Sequence, residues 1–105
     1  MEQPNLNYIY NMSGGNKDFE KKIIHIIKTE FPQEKAIYFK NLEANNYKQT
    51  AENVHKLKHK ISILGLENSY AMAVNYENNL MAHSTEGKIE FEAILQNITD
   101  FLKTL

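Results

Sequence analysis

The 105-residue chain contains no cysteine, no tryptophan and no arginine. Without cysteine, disulfide bonds, thiolate metal sites and cysteine nucleophiles are all excluded. Arginine supplies the planar fork that proteins prefer for recognising phosphate and carboxylate groups, so an all-lysine chain argues mildly against such recognition. The formal net charge of −1 gives no reason to expect a nucleic acid or an anionic membrane as a partner.

Long apolar runs are also missing. No segment approaches the roughly 20 apolar residues that a transmembrane helix needs. The first ten residues lack the basic start and apolar stretch of a signal peptide. The length fits one domain, residues 1–105, with one core. We therefore expect a cytoplasmic protein and a monomer, and the initial methionine favours a free-standing protein over a fragment of a larger kinase.

Apolar residues recur at helical spacing along most of the chain, and no stretch shows the period-two alternation of a strand. Gly14 and Gly15 predict a first break, and Asn16 is a natural N-cap for the helix that follows. Pro32 is expected to end or kink that helix near Phe31 and to begin the next one.

The second half of the chain shows the clearer pattern. Asn68 or Ser69 is expected to cap the helix that follows Gly65, a residue suited to a helix C-terminus or a close backbone approach. Long amphipathic helices with short links predict an all-α fold, an antiparallel four-helix bundle with a short N-terminal helical segment near residues 6–12. Almost every apolar residue of these stripes is expected in the core. The stripes contain Phe19, Ile23, Ile26, Ile27, Tyr38, Phe39, Leu42, Val54, Leu57, Ile61, Leu64, Tyr70, Ala73, Val74, Leu80, Met81, Phe91, Ile94, Leu95, Ile98, Phe101, Leu102 and Leu105.

The one dense polar cluster is the segment VHKLKHKI, residues 54–61. A helical wheel places a group of residues on a solvated shoulder beside the core stripe. A neutral imidazole is a nucleophile near neutral pH, and a nearby ammonium group can offset the charge of a phosphoryl group. From pattern alone, a surface histidine among lysines is more often a plain solvated face. The shoulder contains His55, Lys58, His59, Ser62 and Leu66.

At this segment the chain resembles the histidine-containing phosphotransfer (HPt) domain family. The family motif is a His, two residues, a Lys and a Gly, with a further Gly some ten residues after the His. His55 matches the phosphoacceptor, Lys58 the auxiliary lysine and Gly65 the later glycine, and Glu77 sits where the following helix often carries a Glu. The chain departs from the motif at His59, which stands where the family usually has Gly.

The resemblance implies a phosphorelay carrier of two-component signal transduction. A receiver-domain phospho-aspartate would donate its phosphoryl group to His55, which would pass it to a second receiver aspartate. The partners would be response-regulator receiver domains and a hybrid histidine kinase, and Mg²⁺ would sit in the receiver. The chain would bind no cofactor or metal and would be no enzyme, because nothing resembles a nucleotide-binding loop. Docking is expected on His59, Ser62 and Leu66.

The effect of His59 stays open at this stage. Its ring could narrow access to His55, select partners, contact the phosphoryl group or reduce activity. Two other functions also stay open. The first is a metal site: His55 and His59 are four residues apart, a spacing that can chelate Zn²⁺ or Ni²⁺, and Glu52 lies on the same face. A di-iron site would need a second Glu-x-x-His unit, and the sequence has none. The second is a helical interaction module without phosphotransfer. In that case His55→Gln would leave partner binding and signalling intact.

Overall fold

In the computed structural model, which describes residues 2–105, the chain forms helices joined by short turns, so the all-α prediction is confirmed. No strand occurs among residues 2–105, and Met1 lies outside the described residues. Within the same range, no helix combines the length and the apolar character that crossing a membrane requires. The five helices are α1 (Asn7–Ser13), α2 (Lys17–Glu43), α3 (Tyr47–Ile63), α4 (Glu67–Met81) and α5 (Lys88–Leu102).

The first break and its cap are confirmed. Helix α1 ends at Gly14, whose φ of 59° is a left-handed conformation that glycine adopts without steric cost. The Asn16 side chain then accepts a hydrogen bond of 3.0 Å from the Phe19 N–H, as the N-cap of α2.

The expected boundary at Pro32 is wrong, because α2 runs without a break through this residue. A proline inside a helix costs about 3 kcal/mol. Phe31 and Tyr38, on either side of it, are buried in the core, and each buried aromatic side chain contributes about 1.5–3 kcal/mol. The proline itself lies on the exposed side of the helix. Packing on the core side therefore outweighs the missing hydrogen bond.

The core lies between the four long helices, and the α3 stripe Val54, Leu57, Ile61 and Leu64 is fully buried as predicted. Several residues of the other apolar stripes are exposed instead, because no neighbouring helix covers their part of the surface. Exposed against the prediction are Phe19, Ile26, Phe39, Tyr70, Met81 and Leu105.

A buried polar network joins α2, α4 and α5. The Tyr38 hydroxyl donates to Glu92 Oε2 at 3.0 Å and lies 2.7 Å from the Tyr76 hydroxyl. Because the Tyr38 proton points to the carboxylate, Tyr76 is the donor to the Tyr38 oxygen. Burial raises the pKa of both tyrosine hydroxyls. Phe91 packs against both rings, so the polar groups are satisfied within an aromatic cluster.

The predicted side-chain cap of α4 at Asn68 or Ser69 is wrong, because the helix begins earlier, at Glu67, with no side-chain cap of its own. The cap comes from the start of the chain: Glu2 Oε1 accepts a hydrogen bond of 2.6 Å from the Ser69 N–H. Burial alone would raise the pKa of the Glu2 carboxyl, but hydrogen bonds from Ser69 and Asn68 leave it lowered.

Both expectations for Gly65 are confirmed. Its φ is 77°, and a Cβ built at this position would lie 2.6 Å from the Asn5 side-chain amide. The Asn5 main-chain N–H also donates to the Leu64 carbonyl at 2.9 Å. Gly65 therefore permits both the turn out of α3 and the close approach of the N-terminal segment.

We expect Gly65→Ala to lower the free energy of unfolding by about 2–3 kcal/mol. About 1–2 kcal/mol comes from the left-handed backbone, and the rest from displacing Asn5. Gly14→Ala is the matched control, because its φ is also positive but nothing lies within 4 Å of the new Cβ. Urea unfolding of both variants would measure the difference. Equal losses, or a Gly65→Ala loss unchanged in an Asn5→Ala background, would contradict the close-approach explanation.

Candidate functional site

The candidate phosphoacceptor lies midway along α3, where the helix turns one flank to solvent. The side chain of His55 is 54% exposed, whereas the adjacent Val54 is fully buried in the core. The helical wheel therefore placed the imidazole correctly, beside the core and open to a second protein. A rigid, well-packed helix holds its backbone in position.

Glu77, on the facing side of α4, connects His55 with Lys58. Its Oε2 lies 3.0 Å from His55 Nδ1, and its Oε1 lies 2.9 Å from Lys58 Nζ. The carboxylate is only 20% exposed, so its partial burial is offset by these two contacts. The contact fixes the side chain of His55 relative to both helices.

This contact determines which imidazole nitrogen is available. A carboxylate only accepts hydrogen bonds, so the neutral His55 ring in contact with Glu77 carries its proton on Nδ1. The other nitrogen, Nε2, then holds the lone pair that makes a neutral imidazole nucleophilic. Hydrogen bonding at one ring nitrogen thus sets the chemistry of the other.

Lys58 is held close to the histidine and largely covered. Its side chain is 13% exposed, and its ammonium group lies 5.9 Å from the centre of the Tyr70 ring in addition to the ion pair with Glu77. Lys60, two residues further on, turns away from the site and pairs with Glu30 and Glu34 of α2. Lys58 is therefore the lysine placed to act beside His55.

On the C-terminal side of His55, the surface consists of exposed polar side chains. The His59 ring lies 5.0 Å from the His55 ring, measured between centroids, with the two planes at 59°. Ser62 is exposed one turn further along. Both residues lie on the same flank of α3 as the sequence pattern predicted.

The placement of Leu66 on this surface is wrong. Leu66 is fully buried and is the residue that precedes the first turn of α4. The helical wheel extended α3 through this position, but the helix ends at Ile63 and the chain reverses at Gly65. The reversal directs Leu66 inward, into the apolar core.

A groove beside His55, on the N-terminal side of the imidazole, was not foreseen from the sequence. It is open, has a volume of about 450 Å³ and runs between α3 and α4. Met81 is 60% exposed there, four residues after Glu77 and so on the same flank of α4. The four-residue spacing between Glu77 and Met81 was the sequence signal that could have indicated this groove. The groove is lined by Lys48, Ala51, Glu52, His55, Lys56, Glu77 and Met81.

The residues considered as metal ligands do not converge. Within residues 2–105, no group of three or more His, Asp or Glu side chains has an arrangement that could hold a metal ion. Glu52 lines the groove on one side of His55, and His59 lies on the α3 flank towards Ser62.

Comparison of the chain with protein-family models, with curated proteins and with solved structures gives no match in any of the three. The function proposed for it therefore depends on the residues and their geometry. The most informative part of that geometry is the contact between His55 and Glu77.

We expect neutral His55 to populate the Nδ1–H tautomer, and Glu77→Ala to remove that preference because the accepting carboxylate is gone. Long-range ¹H–¹⁵N NMR correlations of the imidazole report the tautomer directly. Glu52→Ala is the matched control, because this carboxylate lies on the same groove without a contact to the His55 ring. An Nε2–H tautomer in the unmodified protein, or one that Glu77→Ala leaves unchanged, would contradict the assignment.

Proposed function

We propose that this chain is an HPt-like phosphorelay carrier that accepts a phosphoryl group on His55 from a receiver-domain phospho-aspartate and passes it to another receiver aspartate. The supporting observation is an exposed imidazole whose Nδ1 is engaged by Glu77, with a lysine on the same carboxylate. This arrangement leaves one nucleophilic nitrogen accessible on a rigid helix, which is what a carrier between two proteins requires.

The proposed architecture is an antiparallel four-helix bundle with α1 covering one end. Two contacts between α2 and α5 support the antiparallel order, because the later residue of α2 meets the earlier residue of α5. Across α2 and α5, Lys35 meets Thr99 and Tyr38 meets Glu92. Ile9, the one buried residue of α1, joins the core.

The transfer conserves atoms and charge without a cofactor on this chain. The His55 Nε2 lone pair forms the N–P bond while the P–O bond of the aspartyl phosphate breaks, and the aspartate leaves as a carboxylate. The proton on Nδ1 stays in place, so the ring becomes an N-phosphorylated imidazolium. Glu77 offsets that positive charge through its contact with Nδ1. The return step reverses the same bond changes on a second receiver.

Lys58 supplies positive charge for the phosphoryl oxygens. In the unphosphorylated state its ammonium group pairs with Glu77, which keeps the lysine ordered beside the acceptor. A phosphoryl group on Nε2 brings additional negative charge, and Lys58 then has two anionic partners instead of one. Charge stabilisation and positioning are the main contributions that a protein makes to phosphoryl transfer.

The partners that fit this chemistry are receiver domains of response regulators and of a hybrid histidine kinase, each carrying its own Mg²⁺. The carrier would then be a cytoplasmic monomer without kinase or nucleotide-binding activity. The groove beside His55 extends the proposed docking surface towards Lys48 and Met81, while His59 and Ser62 remain its other side. Exposed Lys56 on this surface favours the acidic pocket of a receiver.

Incubation with a receiver domain carrying ³²P-labelled phospho-aspartate and Mg²⁺ tests the proposal. We expect acid-labile, base-stable label on the chain, and none on His55→Gln, because the glutamine amide is not a nucleophile. His25→Gln is the matched control, since it removes an exposed imidazole on α2, outside the His55 groove, and should leave the label in place. Label that persists in His55→Gln, or that disappears in His25→Gln, would contradict His55 as the acceptor. A receiver that binds both proteins equally without any transfer would favour a plain interaction module.

We expect Lys58→Ala to slow transfer about tenfold, which corresponds to about 1.4 kcal/mol of transition-state stabilisation. The reason is the loss of the ammonium group that shares the Glu77 carboxylate with the acceptor. Lys21→Ala is the control, because this lysine is exposed on α2, outside the His55 groove. Rapid-quench measurement of label transfer gives both rates. Equal rates for the two variants would show that Lys58 has no special part in the transfer.

A further inference from the structure

A second groove lies between α2 and the end of α5, two helices that do not form the His55 site. Its volume is about 460 Å³, and it is open along its length. Helices α2 and α5 contact each other less than the consecutive long helices do, which leaves the groove between them open. It is lined by Lys28, Phe31, Pro32, Lys35, Ala36, Phe39, Thr99, Leu102, Lys103 and Leu105.

The charge of this groove is one-sided. Three of its lining residues are lysines, and none is an aspartate or a glutamate; one of the three, Lys28, donates to the main-chain oxygen of Leu105 at 2.7 Å. The whole chain, by contrast, carries a formal net charge of −1. The concentration of positive charge is therefore a local property of this seam and predicts an anionic occupant.

The floor of the groove is apolar. Apart from the lysines, Thr99 is the only lining side chain with a polar group. Phe39 and Leu105 are each 38% exposed. An occupant that covers these residues gains the free energy of burying apolar surface.

Lys35, on the rim of the groove, makes a contact that a carboxylate would improve. Its Nζ donates to the Thr99 hydroxyl at 2.8 Å, and this acceptor is neutral. Elsewhere in the described chain, Lys58 and Lys60 pair with glutamates instead. A carboxylate adds the attraction between opposite charges to the hydrogen bond, which a hydroxyl does not. A partner's carboxylate would therefore bind Lys35 more strongly than Thr99 does.

We infer that this groove binds an amphipathic helix of a partner protein, with its apolar stripe on the floor and acidic residues towards the lysines. Along α2 the groove extends from Lys28 to Phe39, about 17 Å at the helical rise, which is about three turns of a bound helix. A helix set between two others matches a common mode of peptide recognition. A fatty acid fits less well, because small-ligand sites usually enclose most of the ligand and this seam is open.

This inference is independent of the phosphotransfer proposal. The His55 site lies on α3 and α4, whereas the groove lies on α2 and α5. A helix bound in the groove leaves the His55 site accessible. The groove would therefore recruit a protein other than the one whose active site contacts His55.

A pair of synthetic helical peptides of about 18 residues tests the inference. Both carry a leucine stripe at positions i, i+3 and i+7. One has glutamates beside the stripe, and the other has lysines there. Each is titrated into the full ¹⁵N-labelled chain and followed by NMR. We expect the acidic peptide to shift the amides of residues 28–39 and 99–105 and to bind at least about tenfold more tightly than the basic one.

The charge of the groove is tested with the double variant Lys35→Glu and Lys103→Glu, which should weaken binding of the acidic peptide at least about tenfold. The double variant Lys21→Glu and Lys88→Glu is the matched control, with the same change in net charge at exposed positions outside the groove. Circular dichroism confirms that both remain helical. If the groove variant fails to fold, the comparison of the two peptides on the unchanged protein still decides the matter.

Several results would overturn the inference. These are absence of binding at millimolar concentration, equal affinity for both peptides, equal weakening by both double variants, and shifts centred on His55. Laurate, shifting the groove amides when the peptide does not, would assign the groove to a lipid instead. Sedimentation velocity showing a dimer that the groove variant disrupts would assign it to a second copy of the chain.

Discussion

The carboxylate of Glu77 is the contact on which the proposed chemistry of this molecule depends. It is supplied by α4, yet it orders two side chains of α3 one turn apart, the imidazole of His55 and the ammonium group of Lys58. The geometry of the site therefore exists only when the two helices pack against each other in register. The buried residues of the α3 core stripe, such as Leu57, hold α3 in place and so help to set the distance between His55 and the Glu77 carboxylate.

The local parts of this structure could be predicted from the sequence, since they depend on neighbours in the chain. Asn16 caps α2, Gly65 reverses the chain after α3, and the wheel puts His55 on the solvated flank because helical periodicity alone decides it. Two of the failed predictions have different causes. Pro32 remains inside a helix because tertiary packing outweighs local preference there. Leu66 turns into the core because α3 ends at Ile63 and the chain reverses at Gly65.

The sequence placed His55, Lys58, His59 and Ser62 on one flank of α3, but it misplaced Leu66 and did not show which groups of other helices meet that flank. A single sequence shows that His55 and Lys58 share a flank, but it does not show which group on another helix faces them. The resemblance noted in the sequence singled out Glu77, and the structure adds that its two oxygens contact two different side chains. The groove towards Met81 and the lysine-lined seam at Lys35 depend on how two helices meet, which helical periodicity leaves undetermined.

The return of the chain start to α4 has a consequence for how the domain folds. The first turn of α4 has no side-chain cap of its own and receives one from Glu2, 67 residues away, while the Glu2 carbonyl accepts from Asn97, 95 residues away. Closing such long loops is entropically unfavourable until the intervening helices are packed. The beginning of α4 thus gains its full stability only with the whole domain, which couples the N-terminal segment, α4 and α5 into one cooperative unit.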